Sequence, residues 1–209
     1  MADISVFNAD IEAEAPGCPI PRMKRVVRQA VREFCSDSDA WRYSFTTSAI
    51  KGVNTLSIDI PQDSRIINIH DVRVNDVPLR ATNRKQLKYD MPDWDQSEGK
   101  PLRYFLNEED EIAVAPKPDK HDVYAVHVDV SLKPVHSANV LDDIVLDRWY
   151  EIILHGALSK LLMQKDTGYT DRGGAELHLN LFREGIDKAA AQATNDNVYR
   201  FGVTAYGGL

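Results

Sequence analysis

The sequence is poor in the features from which function is usually assigned. It has two cysteines in 209 residues, Cys18 and Cys35, which are too few for a disulfide framework and lack the spacing of a metal site. No run approaches eighteen consecutive apolar residues, so we expect no membrane-spanning helix. The acidic start, residues 1–15, lacks the basic and then apolar stretches of a standard secretory signal. A protein made and kept in a cytoplasm, without membrane association, is therefore expected.

Catalytic and cofactor-binding motifs are also missing. There is no nucleophile elbow, P-loop or dinucleotide-binding glycine motif. His155 and His178 fall on separate predicted helices and can approach each other, but a structural or surface role is favoured for all six histidines (His70, His121, His127, His136, His155 and His178). The acidic run 108–111 is typical of a solvated turn, and Asp142 or Asp143 of a helix cap. We expect no catalytic residues, no cofactor and no metal, and hence no enzyme.

The charge balance limits the class of partner. The net charge is −7 and the pI about 5.4, which argues against binding nucleic acid by neutralising phosphates. The acidic charge does not argue against a protein that lines a channel through which DNA passes without being bound. The first predicted helix is the exception, because basic residues occupy most of its polar surface: Arg22, Lys24, Arg25, Arg28 and Arg32. Such a surface is either solvated or meets an acidic neighbour.

Helical spacing of apolar residues appears in three segments. The first runs from Met23 to Phe34 behind Pro19 and Pro21, which suit a helix start. The second begins at Asp142 or Asp143 and is apolar over more than half its circumference, which predicts a central, buried helix. The third covers about 175–193, with six residues expected to face inward: Leu177, Leu181, Phe182, Ile186, Ala189 and Ala190.

Between these helices the apolar period changes from 3.6 to 2. Five segments alternate as half-buried strands do, and Asn75-Asp76 reads as a tight turn; the segments are 56–60, 67–74, 102–106, 111–115 and 124–132. We therefore predict an α+β fold: a small bundle of three main helices with a large inserted antiparallel β module of six or seven strands and extended N- and C-terminal arms. The predicted domains are an N-terminal arm (1–17), a bundle (18–40 plus 140–193), a β domain (41–139) and a C-terminal docking tail (194–209).

The C-terminal tail has a composition unlike that of a solvated spacer, which is usually poor in aromatic residues. Aromatic and arginine side chains are enriched where proteins dock. The candidate docking residues are Tyr199, Arg200, Phe201, Val203, Tyr206 and Leu209. The alternative is a frayed end without a role.

Four runs together resemble the portal-binding adaptor, or head-to-tail connector, proteins of tailed bacteriophages. The first is residues 15–21 followed by a helix ending Glu33-Phe34-Cys35 and by Trp41-Arg42. The others are residues 94–104 with Gly99-Lys100-Pro101, residues 150–162, and residues 182–186. The resemblance covers about residues 15–192. It rests on ordinary residues and includes no catalytic signature.

The resemblance implies a structural role in the virion neck, at the head–tail junction. Such adaptors are expected to form a homo-oligomeric ring, a dodecamer, below the portal, with a C-terminal extension reaching the portal protein and tail or tail-tube (nozzle) proteins binding below. Genomic DNA would pass through the lumen without sequence-specific binding, and assembly would take place in the host bacterial cytoplasm. A ring requires a heterologous interface, for which Arg22, Arg25, Arg28 and Arg32 are the candidate inter-subunit residues.

Two other functions remain as alternatives. Within the structural class, the chain could be a tail-tube completion or minor tail protein. In a different class, it could be a β-rich ligand-binding or hydrolytic module, which should show a deep pocket lined by convergent polar groups.

Overall fold

A computed structural model describes residues 2–107, 111–121, 123–165 and 167–195. Long helices lie near both ends of this region, and short and long strands lie between them. In chain order the elements are β1 (Ala2–Asp3), a 3₁₀ turn (Ile4–Phe7), α1 (Asn8–Glu14), α2 (Ile20–Ser38), β2 (Arg42–Ser48), β3 (Ser64–Val74), β4 (Val77–Pro78), β5 (Arg80–Ala81), α3 (Arg84–Asp90), β6 (Glu98–Gly99), β7 (Arg103–Leu106), β8 (Ile112–Ala115), β9 (Lys117–Pro118), β10 (Ala125–Pro134), β11 (Val140–Leu141), α4 (Asp143–Leu162) and α5 (Arg172–Asn195). The α+β class predicted from the sequence is confirmed.

The chain divides into two compact units. The helical unit comprises Met1–Arg42, Asp63–Ile67 and Ser131–Leu209, and the β unit comprises Tyr43–Gln62 and Asn68–Val130. Strands β2, β3 and β10 contribute residues to both units.

Three long helices, α2, α4 and α5, form the core of the helical unit. Helix α2 starts directly after Pro19 and turns its apolar stripe inward, with Val27, Val31 and Phe34 fully buried. Helix α4 starts at Asp142, whose carboxylate accepts a hydrogen bond from the Ile144 N–H at 3.0 Å, as the sequence predicted for this cap. Half of α4 is buried, in agreement with the expected central position.

The inward face of α5 differs from the prediction at two positions. Phe182, Ile186 and Ala189 are buried as expected, whereas Leu177 and Leu181 are 59% and 37% exposed. The buried face of α5 instead follows Ala175, Phe182, Gly185, Ile186, Ala189 and Ala193. Close approach at two glycines accompanies this rotation, since Gly156 of α4 lies against Phe182 and Gly185 of α5 lies against Ile152 of α4.

The N-terminal arm expected over 1–17 is folded. β1 pairs antiparallel with β11, and the 3₁₀ turn and α1 follow at once. Ile4, Phe7 and Ile11 are fully buried, and the Phe7 ring stacks on Tyr150 of α4 at 4.4 Å between centroids. The Tyr150 hydroxyl donates to Asp10 at 2.6 Å, and burial, with this carboxylate, raises the pKa of Tyr150. The prediction of an extended arm was therefore wrong for residues 2–14, because these apolar side chains have a site against α4.

The longest strands of the β unit belong to a four-stranded sheet with the order β2-β10-β3-β4. The predicted turn at Asn75-Asp76 is confirmed, since it joins β3 to β4 with Val74 opposite Val77 and with positive φ at both turn residues. Val126, Val128 and Val130 share one buried face of β10, also as predicted.

Three details of the β unit differ from a simple antiparallel module. The pairs β5–β7 and β6–β9 are parallel, although each involves only two residues of a strand. A short helix, α3, is inserted after β5 and is capped by Asn83. The predicted strand at 56–60 does not form. The chain just before it meets β8 through the Thr55–Ala113 bridge and two backbone hydrogen bonds, Leu56 N–H to Ile112 O and Val114 N–H to Asn54 O.

A second small core lies beneath α3. Leu87, Phe105, Ala113 and Ala115 are buried together, and Trp94 packs against them with its ring edge-on to Phe105 at 5.2 Å. The Arg103–Asp90 ion pair, with 2.5 Å between its closest atoms, joins the end of α3 to β7. The Arg103 guanidinium and a hydrogen bond from Gln86 lower the pKa of Asp90.

Candidate functional site

Of the two sites predicted from the sequence, the basic surface of α2 lies within the described residues. Of its four candidate arginines, Arg22 donates through Nη1 to the Tyr169 hydroxyl at 2.7 Å, and this hydrogen bond raises the pKa of Arg22. Arg32 donates to the carbonyl oxygen of Pro134. Both side chains therefore hold distant segments of the helical unit together, a role that the sequence pattern did not indicate.

Arg25 and Arg28 are the arginines of this group that remain for an external partner. Arg28 bonds the Lys24 carbonyl of its own helix at 3.1 Å, and Arg25 is exposed with no side-chain hydrogen bond or ion pair to any described residue. Lys24 lies 3.6 Å from Asp3. The assignment of all four arginines to an inter-subunit contact stays a prediction. Arg25 and Arg28 bond no other element among the described residues, and we call these two residues the α2 basic patch.

The charge of α2 differs from that of the rest of the chain. The helix carries five basic and two acidic residues, against 20 basic and 30 acidic residues elsewhere. An acidic surface of another copy is therefore an electrostatic complement for the α2 basic patch.

The other predicted site residues, Tyr199, Arg200, Phe201, Val203, Tyr206 and Leu209, lie outside the described residues. Their assignment to portal docking stays a prediction. The last described residues, Thr194 and Asn195, belong to the end of α5, so the predicted tail boundary at 194 falls inside a helix.

Two histidines approach each other as the sequence allowed. His155 of α4 and His178 of α5 are joined by a hydrogen bond of 2.9 Å between their Nδ1 atoms, which requires one ring to be neutral at this atom. Burial lowers the pKa of His155, His178 lowers it further, and Glu151 opposes them. Among the described residues no group of three or more His, Cys, Asp or Glu side chains could hold a metal ion.

The cysteines occupy apolar surroundings. Both are free thiols and both are buried. Burial raises the pKa of Cys35 to about 12, so its thiolate is not available as a nucleophile near neutral pH. Cys35 therefore packs as a small hydrophobic residue, in agreement with the sequence-based interpretation.

Two cavities can be compared with the pocket that a ligand-binding module would need. One, of about 390 Å³, is lined by Lys165, Thr167, Thr170 and Arg172 between α4 and α5. The other, of about 170 Å³, is lined by residues of β5, α3 and β7, among them Arg80, Thr82 and Arg103. A ligand-binding module was expected to bring two or three of His70, His121, His127 or acidic residues into one deep pocket. Neither cavity is lined by these histidines, and the second has one acidic residue, Asp90, which is paired with Arg103.

No helix in the described part of the chain is long and apolar enough to cross a membrane. The candidate sites that the described residues offer are the basic surface of α2 and the pair His155 and His178, and the fold that carries them is α+β. The family model of the SU10 adaptor proteins matches residues 7–204, and the chain belongs to this family. A search of curated proteins finds no match to the chain.

The family membership confirms the resemblance to phage adaptors that the sequence indicated. The SU10 adaptors are structural phage proteins and not a class of enzymes. Membership implies a place in the virion and interaction with other phage head or tail proteins.

Proposed function

We propose that this chain is the head–tail connector subunit of a tailed phage, one copy in a ring that lies below the portal and joins the head to the tail. The observation that carries this proposal is the family match, which extends over 198 residues (7–204) and so includes parts of both units. A role that uses the whole chain fits a structural ring better than a single binding module with accessory helices.

The α2 basic patch supports the ring. Copies with a net charge of −7 repel one another, so each contact in a ring needs local complementarity. A heterologous interface places one surface of a subunit against a different surface of the next, and it closes if the rotation permits. We assign the α2 basic patch to one side of this interface and an acidic surface of the next copy to the other.

The partners in this proposal are the portal protein above, through the C-terminal tail, and a tail or nozzle protein below. Genomic DNA would cross the lumen without sequence-specific contacts. An overall acidic ring weakens the attraction of the lumen for a polyanion, which favours sliding. Twelve copies are expected from the resemblance to phage adaptors.

A cryo-EM map of the neck of the intact particle tests the proposal. We expect a closed ring directly below the portal into which the helical unit and the β unit can each be fitted. A map with this chain in the tail tube, or copurification of the tagged chain with a tail-tube protein and not with the portal, would instead favour the tail completion alternative.

A further inference from the structure

Strand β2 forms an open edge of the four-stranded sheet. It stands at the end of the order β2-β10-β3-β4, and among the described residues it pairs only with β10. At the opposite end stands β4, which is two residues long and contains Pro78, a residue without an N–H to donate. One edge is therefore short and blocked, whereas the other is seven residues long.

Two backbone hydrogen bonds show which groups of β2 face outward. The Leu132 N–H donates to the Trp41 carbonyl at 2.9 Å, and the Ala49 N–H donates to the Tyr124 carbonyl at 3.0 Å. Because backbone groups in an antiparallel pair face the partner at every second residue, the odd-numbered residues of β2 bond β10. The N–H and C=O groups of Ser44, Thr46 and Ser48 therefore point away from β10.

The side chains of β2 leave most of this edge open. One exposed charged residue, Arg42, stands at the first position of the strand. Residues 43–48 read Tyr-Ser-Phe-Thr-Thr-Ser and include no proline, lysine or other charged residue, which are the usual protections of an edge. Ser44, Thr46 and Ser48 form an exposed polar face, on which Ser44 donates to Asp129 and Thr46 contacts His127. Phe45, on the other face, is only 6% exposed. An added strand would need the same alternation of small polar and apolar residues.

The C-terminal sequence of the chain has this alternation. Tyr199, Phe201, Val203 and Ala205 alternate with Arg200, Gly202 and Thr204 over seven residues. Aromatic and β-branched residues favour strands. If the apolar set continues the face of Phe45, Arg200 falls on the face of Asp129, which gives a complementary charge.

We propose that residues 199–205 of a second copy add as a strand to the free edge of β2 in the β unit. This inference rests on the proposed ring, which brings copies together. Each subunit then donates one tail and accepts one, so that a closed ring leaves no β2 edge unfilled. Main-chain hydrogen bonds to Ser44, Thr46 and Ser48 supply affinity, and the alternating side chains supply register. This arrangement narrows the proposed portal contact to Tyr206 and Leu209, because the other four candidate docking residues lie within 199–205 and would contact β2 of the neighbouring copy.

Cysteine cross-linking between two differently tagged full-length chains tests the strand. One carries Ser44→Cys, and the other carries a single cysteine at 200, 201, 202, 203 or 204. Side chains alternate between the faces of a sheet, and Ser44 lies on the face expected for Arg200. We therefore expect disulfide links between the two tagged chains when the tail cysteine is at 200, 202 or 204, and none when it is at 201 or 203. Equal yields at all positions, links within one chain only, or no links would each overturn the proposal.

A proline substitution tests the main-chain contact. Thr46→Pro, placed in the Ser44→Cys chain, removes an outward N–H and leaves the hydrogen bonds between β2 and β10 intact. We expect it to abolish cross-linking, whereas the matched Thr46→Ala variant keeps the N–H and should cross-link as before. Loss with both variants, or with neither, contradicts strand addition. Unfolding curves of the two variants establish that both remain folded.

Failure of this inference is distinguishable from failure of the adaptor role. Cosedimentation of the chain with particles reports the adaptor role, and the alternation of cross-linking yield, in the particle and in the free fraction, reports the strand. A chain that joins particles without alternating cross-links overturns the strand alone. A chain that cross-links with alternation but stays off the particles overturns the adaptor role alone.

Discussion

Gly156 of α4 lies directly against the ring of Phe182 of α5, and a Cβ at Gly156 would come 2.6 Å from the Cε2 atom of that ring. One turn away the same relationship is repeated with the roles reversed, since a Cβ at Gly185 of α5 would come 2.5 Å from Ile152 of α4. The two glycines permit the antiparallel helices to approach closely, and Phe182 is fully buried as a result.

Substitution of this glycine should destabilise the helical unit. Gly156→Ala improves helix propensity by about 1 kcal/mol, but overpacking a buried ring costs about 1–3 kcal/mol. We expect a net loss of about 1 kcal/mol in the free energy of unfolding, measured by urea denaturation. Gly173→Ala is the control, because its Cβ would meet Asp171 at an ordinary 3.6 Å. Equal effects of the two substitutions would contradict the packing argument.

The turn between β3 and β4 can be improved. Asp76 has a φ of 64° and Asn75 a φ of 49°, a region that costs a residue with a Cβ about 1 kcal/mol. Asp76→Gly should therefore raise the unfolding free energy, by up to about 1 kcal/mol, since Asn-Gly is the preferred pair in such turns. Asn75→Gly should raise the unfolding free energy less than Asp76→Gly does, or lower it. It relieves the same strain but removes the side-chain hydrogen bonds of Asn75 to Ala125 and Val123.

The histidine pair should make stability depend on pH. Because the pKa of His155 is lowered in the folded state, the unfolded chain binds the proton more tightly. Stability should be complete above the ordinary histidine pKa of about 6.5, and it should fall as the pH drops from there to the lowered pKa of the folded state. His178→Gln removes the smaller of the two causes, so it should reduce the loss of stability below about pH 6.5 without abolishing it, as followed by urea denaturation at several pH values. His136→Gln, at an exposed turn position, is the matched control.

Charge reversal on α2 should separate assembly from folding. Arg25→Glu with Arg28→Glu should leave the unfolding free energy nearly unchanged, because neither side chain bonds another element among the described residues. Joining of heads to tails, scored by electron microscopy, should fall steeply because like charges then meet at the interface. Arg183→Glu, an exposed substitution on α5, is the control. Normal joining by the double variant would remove the α2 basic patch from the proposed interface.

Prediction from the sequence succeeded where an element carries its own periodicity. Helices α2 and α4 have enough turns to show an apolar face. Asn75-Asp76 is predicted as a turn from its residue types alone, because Asn and Asp tolerate the positive φ that this turn requires. It failed where elements are short. Helix α3 buries the side chain of Leu87 and no other, so no stripe marks it, although Asn83 is a recognisable cap. The parallel two-residue strands show no periodicity at all.

The candidate site was predicted in composition but not in detail. A helical sequence identifies Arg22, Arg25, Arg28 and Arg32 as polar-face residues. It does not show that Arg22 bonds Tyr169, 147 residues away, or that Arg32 bonds Pro134, 102 residues away. Such pairings are set by tertiary structure, which the spacing of residues along a helix does not contain. The buried N-terminal segment was missed for the same reason, since Phe7 owes its burial to Tyr150.

The pairing of β1 with β11 has a consequence for the order of events during synthesis. Ala2 is made 139 residues before its partner Leu141. The helical unit is interrupted in sequence, whereas most of the β unit is one continuous stretch, Asn68–Val130. Most of the β unit can therefore acquire its contacts while translation continues. The segment with Ile4, Phe7 and Ile11 can pack on α2 early, but the β1–β11 pair and the stacking of Phe7 on Tyr150 must wait until residues 140–150 are made. One strand pair of the helical unit is thus completed only after almost the whole β unit has been synthesised.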